Sequence, residues 1–476
     1  MAKGTPLSKY YCGVDFGTSN SSAALFDGEK VRVLPLDEAN DSATSLPSLL
    51  YITNEGEPIV GRAAANAFIE RNVDREVILK QVDLGIAIEG YVASEPDKSE
   101  SYRPGVTDPN VREAVRAKAI VEVNSPGRLF QSLKTLLRHE TFKGTEVFGV
   151  QYQIEELVAM ILRQIKARVD AEAGFSVERA VFGRPVRFSE REAENDVAER
   201  RLRTAAALAG FKDVAFFYEP VGACVEYAMA EQREQKLMVV DIGGGTFDAC
   251  VMQFSGSHGV GKRLQESQIL SVSGVPVAGD AIDREIIRSK LFPRFGSRAR
   301  YGPSKLRLPQ YLFNQILDWQ NLYRLNNEET INWLIAAESD SDDPEALRAL
   351  RCLIQRNYGY PVAREVEAAK RRLSTETSTE INIAREHINI HEVLEREEFS
   401  HIIEENLEKM MIELRRAEDE AGLKPRDIDL VLTTGGTSLI PAIQQMLRDR
   451  YGEDRLKQRD TFTSVATGLA IVAQFA

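Results

Sequence analysis

An α/β protein folded as two lobes is the architecture this sequence predicts, on three observations. Strand and helix signals alternate over most of the chain, the pattern of layered α/β domains. Its 476 residues suit about three domain-sized units, or two lobes with subdomains. Two strand-turn-strand units of one design begin at Asp15 and Asp241. Hydrophobic residues at 43 % and charged residues at 28 % promise a sizeable core and exclude a wholly disordered or fibrous chain. The net charge of −12 repels polyphosphate overall, which argues against general nucleic-acid binding. Four dispersed cysteines match neither a disulfide framework nor a zinc knuckle, and no run approaches the ~18 apolar residues of a membrane helix. A cytoplasmic protein that does not engage membranes is therefore expected.

In chain order, Tyr10–Asp15 and Ser22–Phe26 flank a Gly-Thr-Ser-Asn turn and read as a hairpin. Ser94–Asn110 is polar and proline-containing, and reads as a mobile surface insertion. Ile154, Leu157, Val158, Ile161, Leu162, Ile165 and Val169 place one apolar stripe on a helix, followed by a strand at Arg179-Ala-Val-Phe182. A first lobe over 1–218 and a second over 219–476 are expected, the second with a phosphate hairpin at 237–254 and an insertion at about 293–360. Within that insertion Glu338–Glu345 reads as a second mobile segment. Tyr311, Leu312, Phe313, Ile316, Leu317, Trp319 and Leu322 read as a small core of its own. Between Ile286 and Leu317 lie Arg288, Lys290, Arg294, Arg298, Arg300, Lys305 and Arg307 with no acidic residue, either a solvated face or a docking surface for an acidic protein partner. His387 and His391 fall in an alternating run, Ile381 to His391, that reads as strand rather than as a helical metal site.

The chemistry concentrates in the two glycine turns. Gly13-Val-Asp-Phe-Gly-Thr-Ser-Asn-Ser21 and Val239-Val-Asp-Ile-Gly-Gly-Gly-Thr-Phe-Asp248 each end a strand on a carboxylate, then supply glycines, then a hydroxyl. Missing Cβ atoms let backbone N–H groups approach an anion, as nucleotide phosphates require. Asp15 and Asp241 suit a magnesium ion held through its waters, because the ion dehydrates reluctantly. Thr18 and Thr246 would donate to phosphate oxygens. One such turn alone could be a glycine-rich hairpin and nothing more; two of one design make that reading much weaker. A third glycine signal, Leu430-Val-Leu-Thr-Thr-Gly-Gly-Thr-Ser-Leu-Ile-Pro441, follows a strand and precedes a helix. No GxxxxGK[ST] sequence occurs, which disfavours a P-loop enzyme.

In that order, the three signals match the actin, hexokinase and heat-shock-70 ATPase superfold, with duplicated ribonuclease H-like lobes and nucleotide between them. The sequence resembles the heat-shock-70 (DnaK-type) chaperone family in particular, over its ATPase region. Beyond the two glycine turns, Tyr218-Glu219-Pro220-Val-Gly-Ala223, Glu367-Ala-Ala-Lys370-Arg371-Arg-Leu-Ser374 and Gly435-Gly436 fit the family pattern. The resemblance implies that Asp15 and Asp241 hold hydrated magnesium and that Gly17, Thr18, Ser19, Gly243, Gly244, Gly245 and Thr246 hold the phosphates. It implies Lys134 as the catalytic lysine beside the γ-phosphate, Glu219 near the metal's water shell, and Asp241 and Thr246 in the same catalytic set. Glu367, Lys370, Arg371 and Ser374, on a helix over 362–374, would grip ribose and adenine with Gly435 and Gly436. Pro185 would couple nucleotide state to the lobes.

Two departures qualify the resemblance. Family members carry an arginine three residues after the Gly-Gly pair that packs on adenine; here that position is Leu439, which implies weaker adenine binding. After the expected final helix, Thr461–Ala476, the sequence stops short of the family's peptide clamp, so no C-terminal peptide-binding domain is expected, as in the truncated YegD-like branch. The expected function is a nucleotide switch of the chaperone type, binding ATP or ADP with magnesium and hydrolysing ATP slowly. A non-hydrolysing or filament-forming scaffold and a small-molecule kinase of the same superfold are the alternatives.

Overall fold

The computed structural model describes residues 10–75, 77–91, 112–189, 191–230, 233–257, 262, 266–458 and 463–475. Two sheets organise it, and they repeat one plan. In the first, strand order runs Val31–Val33, Asn20–Phe26, Tyr11–Phe16, Arg179–Arg184, Asp213–Tyr218, with Leu46–Pro47 paired to the side of Asn20–Phe26. In the second it runs Gln268–Val275, Phe247–Phe254, Gln235–Ile242, Leu430–Thr434, Leu456–Gln458. Each sheet therefore opens with antiparallel strands joined through a glycine turn and continues with two parallel strands. This is a duplicated lobe, as the sequence predicts.

The helix Ile154–Ala173 buries all seven residues of its predicted stripe and lies on one face of the first sheet with Glu192–Ala209. Between the two sheets sits a third apolar cluster, in which Val221 and Cys224 of Glu219–Ala230 and Leu469 of Ser464–Val472 meet Ala24, Val181, Leu237 and Val239. Ser464–Val472 packs on Tyr11–Phe16 and Asn20–Phe26 of the first sheet. A division that gives all of 219–476 to the second lobe is not followed by this helix: its face is apolar almost throughout, and burial on both sides needs both lobes. The expected helix over 461–476 is shorter, Ser464–Val472, and 461, 462 and 476 lie outside the described residues.

Several expectations need correction. The Ser94–Asn110 segment lies outside the described residues, and its flanks form the hairpin Leu79–Tyr91 with Arg112–Glu122. Glu338–Glu345 lies at the surface as expected, exposed over 342–345. It is the tight joint between Glu328–Ser339 and Pro344–Gln355, capped by Asp343 accepting from Ala346 N at 3.1 Å, with Glu338 ion-paired to Arg348 and Arg351. The run 381–391 is strand as expected, but in two pieces: Ser378–Arg385 turns at His387, φ 55°, into Ile388–Glu395. The insertion has no separate core either: Leu312, Phe313, Ile316 and Leu322 join the cluster that runs through the second lobe to Phe247, while Tyr311 stays exposed. Three residues of the basic run 286–317 are answered inside the chain, Arg288 by Glu285, Lys290 by Glu392 and Glu398, Arg294 by Glu392.

Candidate functional site

Both glycine turns point into one cleft between the sheets, and they touch. A Cβ on Gly245 would stand 2.6 Å from Thr18 Oγ1, and one on Gly244 would overlap Ser19 Oγ. The two lobes thus bring their hydroxyl-bearing and glycine-bearing halves together, which only a residue without a side chain permits. Gly435 stands against Ile242 O with φ +80°, and a Cβ there would lie 2.8 Å from Asp241 Oδ1. The cleft is a cavity of about 1020 Å³.

Of the predicted site residues, Asp15, Gly17, Thr18, Ser19, Lys134, Glu219, Asp241, Gly243, Gly244, Gly245 and Thr246 all line this cavity, as do Pro185, Glu367, Lys370, Arg371, Ser374, Gly435, Gly436 and Leu439. Predicted residues up to 424 positions apart in sequence (439 − 15) converge because the parallel strand ends and both hairpin turns face the same gap. The structure brings together every residue the sequence singled out for the nucleotide.

Lys134 sits on the one-turn helix Leu133–Leu136, entered through Ser132 in a left-handed conformation. It is buried, and its Nζ lies 2.6 Å from Glu219 Oε1. Burial alone would lower the ammonium's pKa, but Glu219 and then Asp15 outweigh it and raise the pKa. The carboxylates move the other way. Burial, reinforced by Glu219, pushes Asp15 up to about 7 against the pull of Lys134. Asp241 is pushed well above the ordinary range by burial and by Glu219, Asp15 and Asp248. Four carboxylates, three of them buried and Asp15 half-buried, thus share one ammonium in the floor of the cleft. Among the described residues no three acidic, imidazole or thiol groups converge as a direct metal ligand set.

Asp248 is a residue that sequence reasoning passed over. It is buried, pushed up to about 7 by burial and Glu219, and its Oδ1 accepts from Val186 N at 2.7 Å. That bond ties the second hairpin to the segment of Pro185 in the first lobe. A signal existed: Asp248 pairs across the hairpin with Asp241, where the first hairpin pairs Asp15 with Ser22.

The helix expected to border a nucleoside is Gly359–Arg372, one turn earlier at its start than expected, with Ser374 just beyond it. Lys370 Nζ donates to Asp283 Oδ2 at 2.8 Å and to Gly279 O at 3.1 Å. Burial lifts Asp283 to about 6 although Lys370 pulls it down. Glu367 is paired with Arg364 at 3.0 Å. Thr437 Oγ1 donates to Gly243 O at 2.7 Å, fixing the Gly-Gly segment to the second glycine turn. Ser132 Oγ donates to Asp280 Oδ2 at 3.2 Å, a bond between the lobes. Asp280 and Asp283 begin the helix Gly279–Ile286, and sequence reasoning gave them no role.

Duplicated lobes with mirrored glycine turns and a carboxylate floor define the ATPase-type cleft of the actin and heat-shock-70 superfold. Within that class, residues 112–264 and 357–475 match the family described as Hsp70 protein, and the chain belongs to that family. It is 26 % identical over 467 residues to chaperone protein DnaK 1 of Synechococcus sp.. The match covers 97 % of this chain and 49 % of that protein, so the chain spans about half the length of the curated relative it matches. Residues 265–356, which contain most of the insertion, lie outside the family match.

Proposed function

We propose that this cleft binds an adenine nucleotide with magnesium and hydrolyses ATP slowly, as a switch between lobe arrangements in a chaperone-related protein. The observation that carries the reading is the closed set of Thr18, Ser19, Gly244, Gly245, Asp15, Asp241, Glu219 and Lys134 at the junction of both lobes. Backbone N–H groups of the glycine turns hold phosphate oxygens. The excess of buried carboxylate suits a divalent cation, and since the carboxylates do not form a direct ligand set, magnesium would be held by Asp15 and Asp241 through its waters. When bound, the ion neutralises charge on the phosphates. Lys134, kept protonated by Glu219, presents an ammonium to the phosphate end, and phosphoryl transfer to water is mostly positioning and charge stabilisation. Glu367, Lys370, Arg371, Ser374 and Leu439 border the nucleoside.

A cytoplasmic location is supported by the four cysteines, all buried free thiols.

The test is a thermal melt with and without MgADP. Ligand that binds the folded state alone raises the melting temperature. Wild type should shift upward, and Asp15→Asn and Asp241→Asn should each shrink the magnesium-dependent part of the shift. An unshifted wild type would remove the nucleotide reading.

A further inference from the structure

Lys134 reaches the carboxylate floor from Leu133–Leu136, and a helix of one turn has too few bonds of its own to hold its place. What enters that turn is Ser132, at φ 56° and ψ 33°. Serine rarely takes this left-handed conformation, which persists only where the surroundings hold it. Part of the hold is local, since Thr135 N and Thr135 Oγ1 donate to Ser132 O at 3.0 and 2.8 Å. The Ser132 hydroxyl goes elsewhere: it crosses the cleft to Asp280 Oδ2 of the second lobe at 3.2 Å.

Asp280 is in turn fastened to the second glycine turn. Its N donates to Gly244 O at 2.8 Å, and a Cβ on Gly244 would stand 3.2 Å from Asp280 Oδ1. Beside it, Gly279 N donates to Gly243 O at 3.2 Å, and Gly279 O accepts from Lys370 Nζ at 3.1 Å. An acidic residue in the first turn of a helix ordinarily offsets the helix dipole and does no more. Here the residue closes a chain of contacts that starts at Lys370 and the second glycine turn, passes through Asp280 and Ser132, and ends at the turn carrying Lys134. Both ends of that chain line the cavity.

We propose that Asp280 is a positioning residue for Lys134: by holding Ser132 in its left-handed conformation from across the cleft, it keeps the lysine in place only while the two lobes are together. The inference rests on the nucleotide reading of the cleft and adds a regulation to it. Parting of the lobes separates Asp280 from Ser132, releases Ser132 from the left-handed region and loosens the turn that points Lys134 at Glu219. Hydrolysis is thereby confined to the closed arrangement, as in enzymes whose closure completes the catalytic set.

The test is made on the full chain, with single-turnover ATP hydrolysis, calorimetry of MgADP and labelling of Lys134 by an amine-reactive reagent read by peptide mapping. Misplacing a reacting group by 1 Å can cost about 100-fold, so Asp280→Ala and Ser132→Ala should each slow hydrolysis at saturating ATP at least about tenfold. MgADP affinity should change no more than about threefold, because the bond from Asp280 N to Gly244 O needs no side chain. Glycine takes the left-handed conformation without help, so Ser132→Gly, alone or combined with Asp280→Ala, should hydrolyse ATP within about threefold of wild type. That recovery separates a positioning bond from general damage to the cleft. In the ligand-free chain the buried Lys134 amine should label several-fold faster in the two alanine variants than in wild type or the glycine variants. Undiminished turnover in both alanine variants, equal loss of turnover and MgADP affinity, or no recovery with glycine would each overturn the proposal. If Asp280→Ala does not fold, Ser132→Ala against Ser132→Gly carries the same comparison at one position. If wild type hydrolyses no ATP, the hydrolysis reading fails by itself, and Lys134 labelling that is the same in all variants would then overturn the positioning role.

Discussion

The floor and the roof of the cleft are built by opposite chemistry. The floor is charged and largely buried: Asp15, Glu219, Asp241 and Asp248 around Lys134, wedged between two glycine turns. The roof is aromatic. Phe68 of the first lobe meets Trp319 and Tyr360 of the second with ring centroids 5.8 and 5.4 Å apart, Trp319 meets Tyr360 at 4.9 Å, and Tyr51 and Leu129 back them. Beside the rings, Tyr358 donates to Asp74, and Asp74 N donates to Arg356 O at 3.2 Å. Charged groups in a largely buried floor act on a ligand's charge, whereas apolar contacts across a gap act on whether the gap opens. Floor variants should therefore alter chemistry and metal dependence, and roof variants should alter the rates of entry and exit.

The largest expected effect is at the floor. Lys134→Ala should lower single-turnover ATP hydrolysis by about 100-fold or more, the scale for losing one preorganised group that stabilises developing charge. ADP affinity, supplied by the glycine turns and the Gly359–Arg372 helix, should change little. The substitution also strands Glu219 beside Asp15 and Asp241, so a Lys134→Ala/Glu219→Gln pair should recover part of the stability the single variant loses. Undiminished turnover in Lys134→Ala would take the lysine out of the chemistry.

The second effect is one of pH. Asp15 and Asp248, lifted to about 7, keep their protons in the folded state where the unfolded chain has lost them. Folded protein then binds more protons than unfolded between about pH 4 and 7, so their stabilisation is complete below the unfolded pKa and disappears as pH rises through about 7. Without magnesium or nucleotide, the melting temperature should fall from pH 5 to pH 8. Magnesium and ADP favour ionised carboxylates and should flatten or reverse that slope. A slope unaffected by both would mean that these carboxylates do not face the ligand.

How much of this could be read beforehand divides along the same line. Floor residues lie in short motifs whose spacing is dictated by local geometry: a strand, a carboxylate, a turn that only glycine permits. Asp15, Asp241 and their turns were legible for that reason, and so was the convergence of Lys134 and Glu219 once the family pattern was recognised. Asp248 escaped because its counterpart Ser22 breaks the symmetry between the hairpins. The roof has no motif. Trp319 and Tyr360 look like ordinary apolar positions of helical segments, and their partner Phe68 is 251 residues from Trp319 (319 − 68), so only the fold shows that they meet. Asp283 was similarly hidden, since an acidic residue in the first turns of a helix reads as dipole compensation until Lys370 is seen against it.

The third effect belongs to the roof. Trp319→Ala removes the indole that joins Phe68 to Tyr360, and an aromatic pair is worth about 0.5–1.5 kcal/mol beyond its area. Release of ADP should accelerate by roughly tenfold, the factor for about 1.4 kcal/mol, while hydrolysis of bound ATP in a single turnover stays within a few-fold. Stopped-flow displacement of a fluorescent ADP measures the first and rapid quench the second. If hydrolysis drops as far as in Lys134→Ala while release is unchanged, roof and floor are not separable in the way their chemistry suggests.

The smallest effect tests the edge where floor meets nucleoside. Leu439 lines the cavity with Gly435 and Gly436, at the position where the resemblance implies an arginine packed on adenine. Leu439→Arg would place a guanidinium within reach of the base, a contact of about 0.5–2 kcal/mol, so ADP should bind up to roughly tenfold more tightly by calorimetry. Two features here limit the gain. Arg371 already borders the same space, and a second cation beside it is disfavoured unless the base lies between them. Ile440 beyond Leu439 is buried, so the short turn Gly436–Leu439 has little freedom to shift and the longer side chain must extend into the cavity. Tighter ADP binding with an unchanged release rate for Trp319→Ala in the same background would place the gain in the pocket wall. Equal or weaker binding would mean that the wall is already complementary to its ligand with leucine in place.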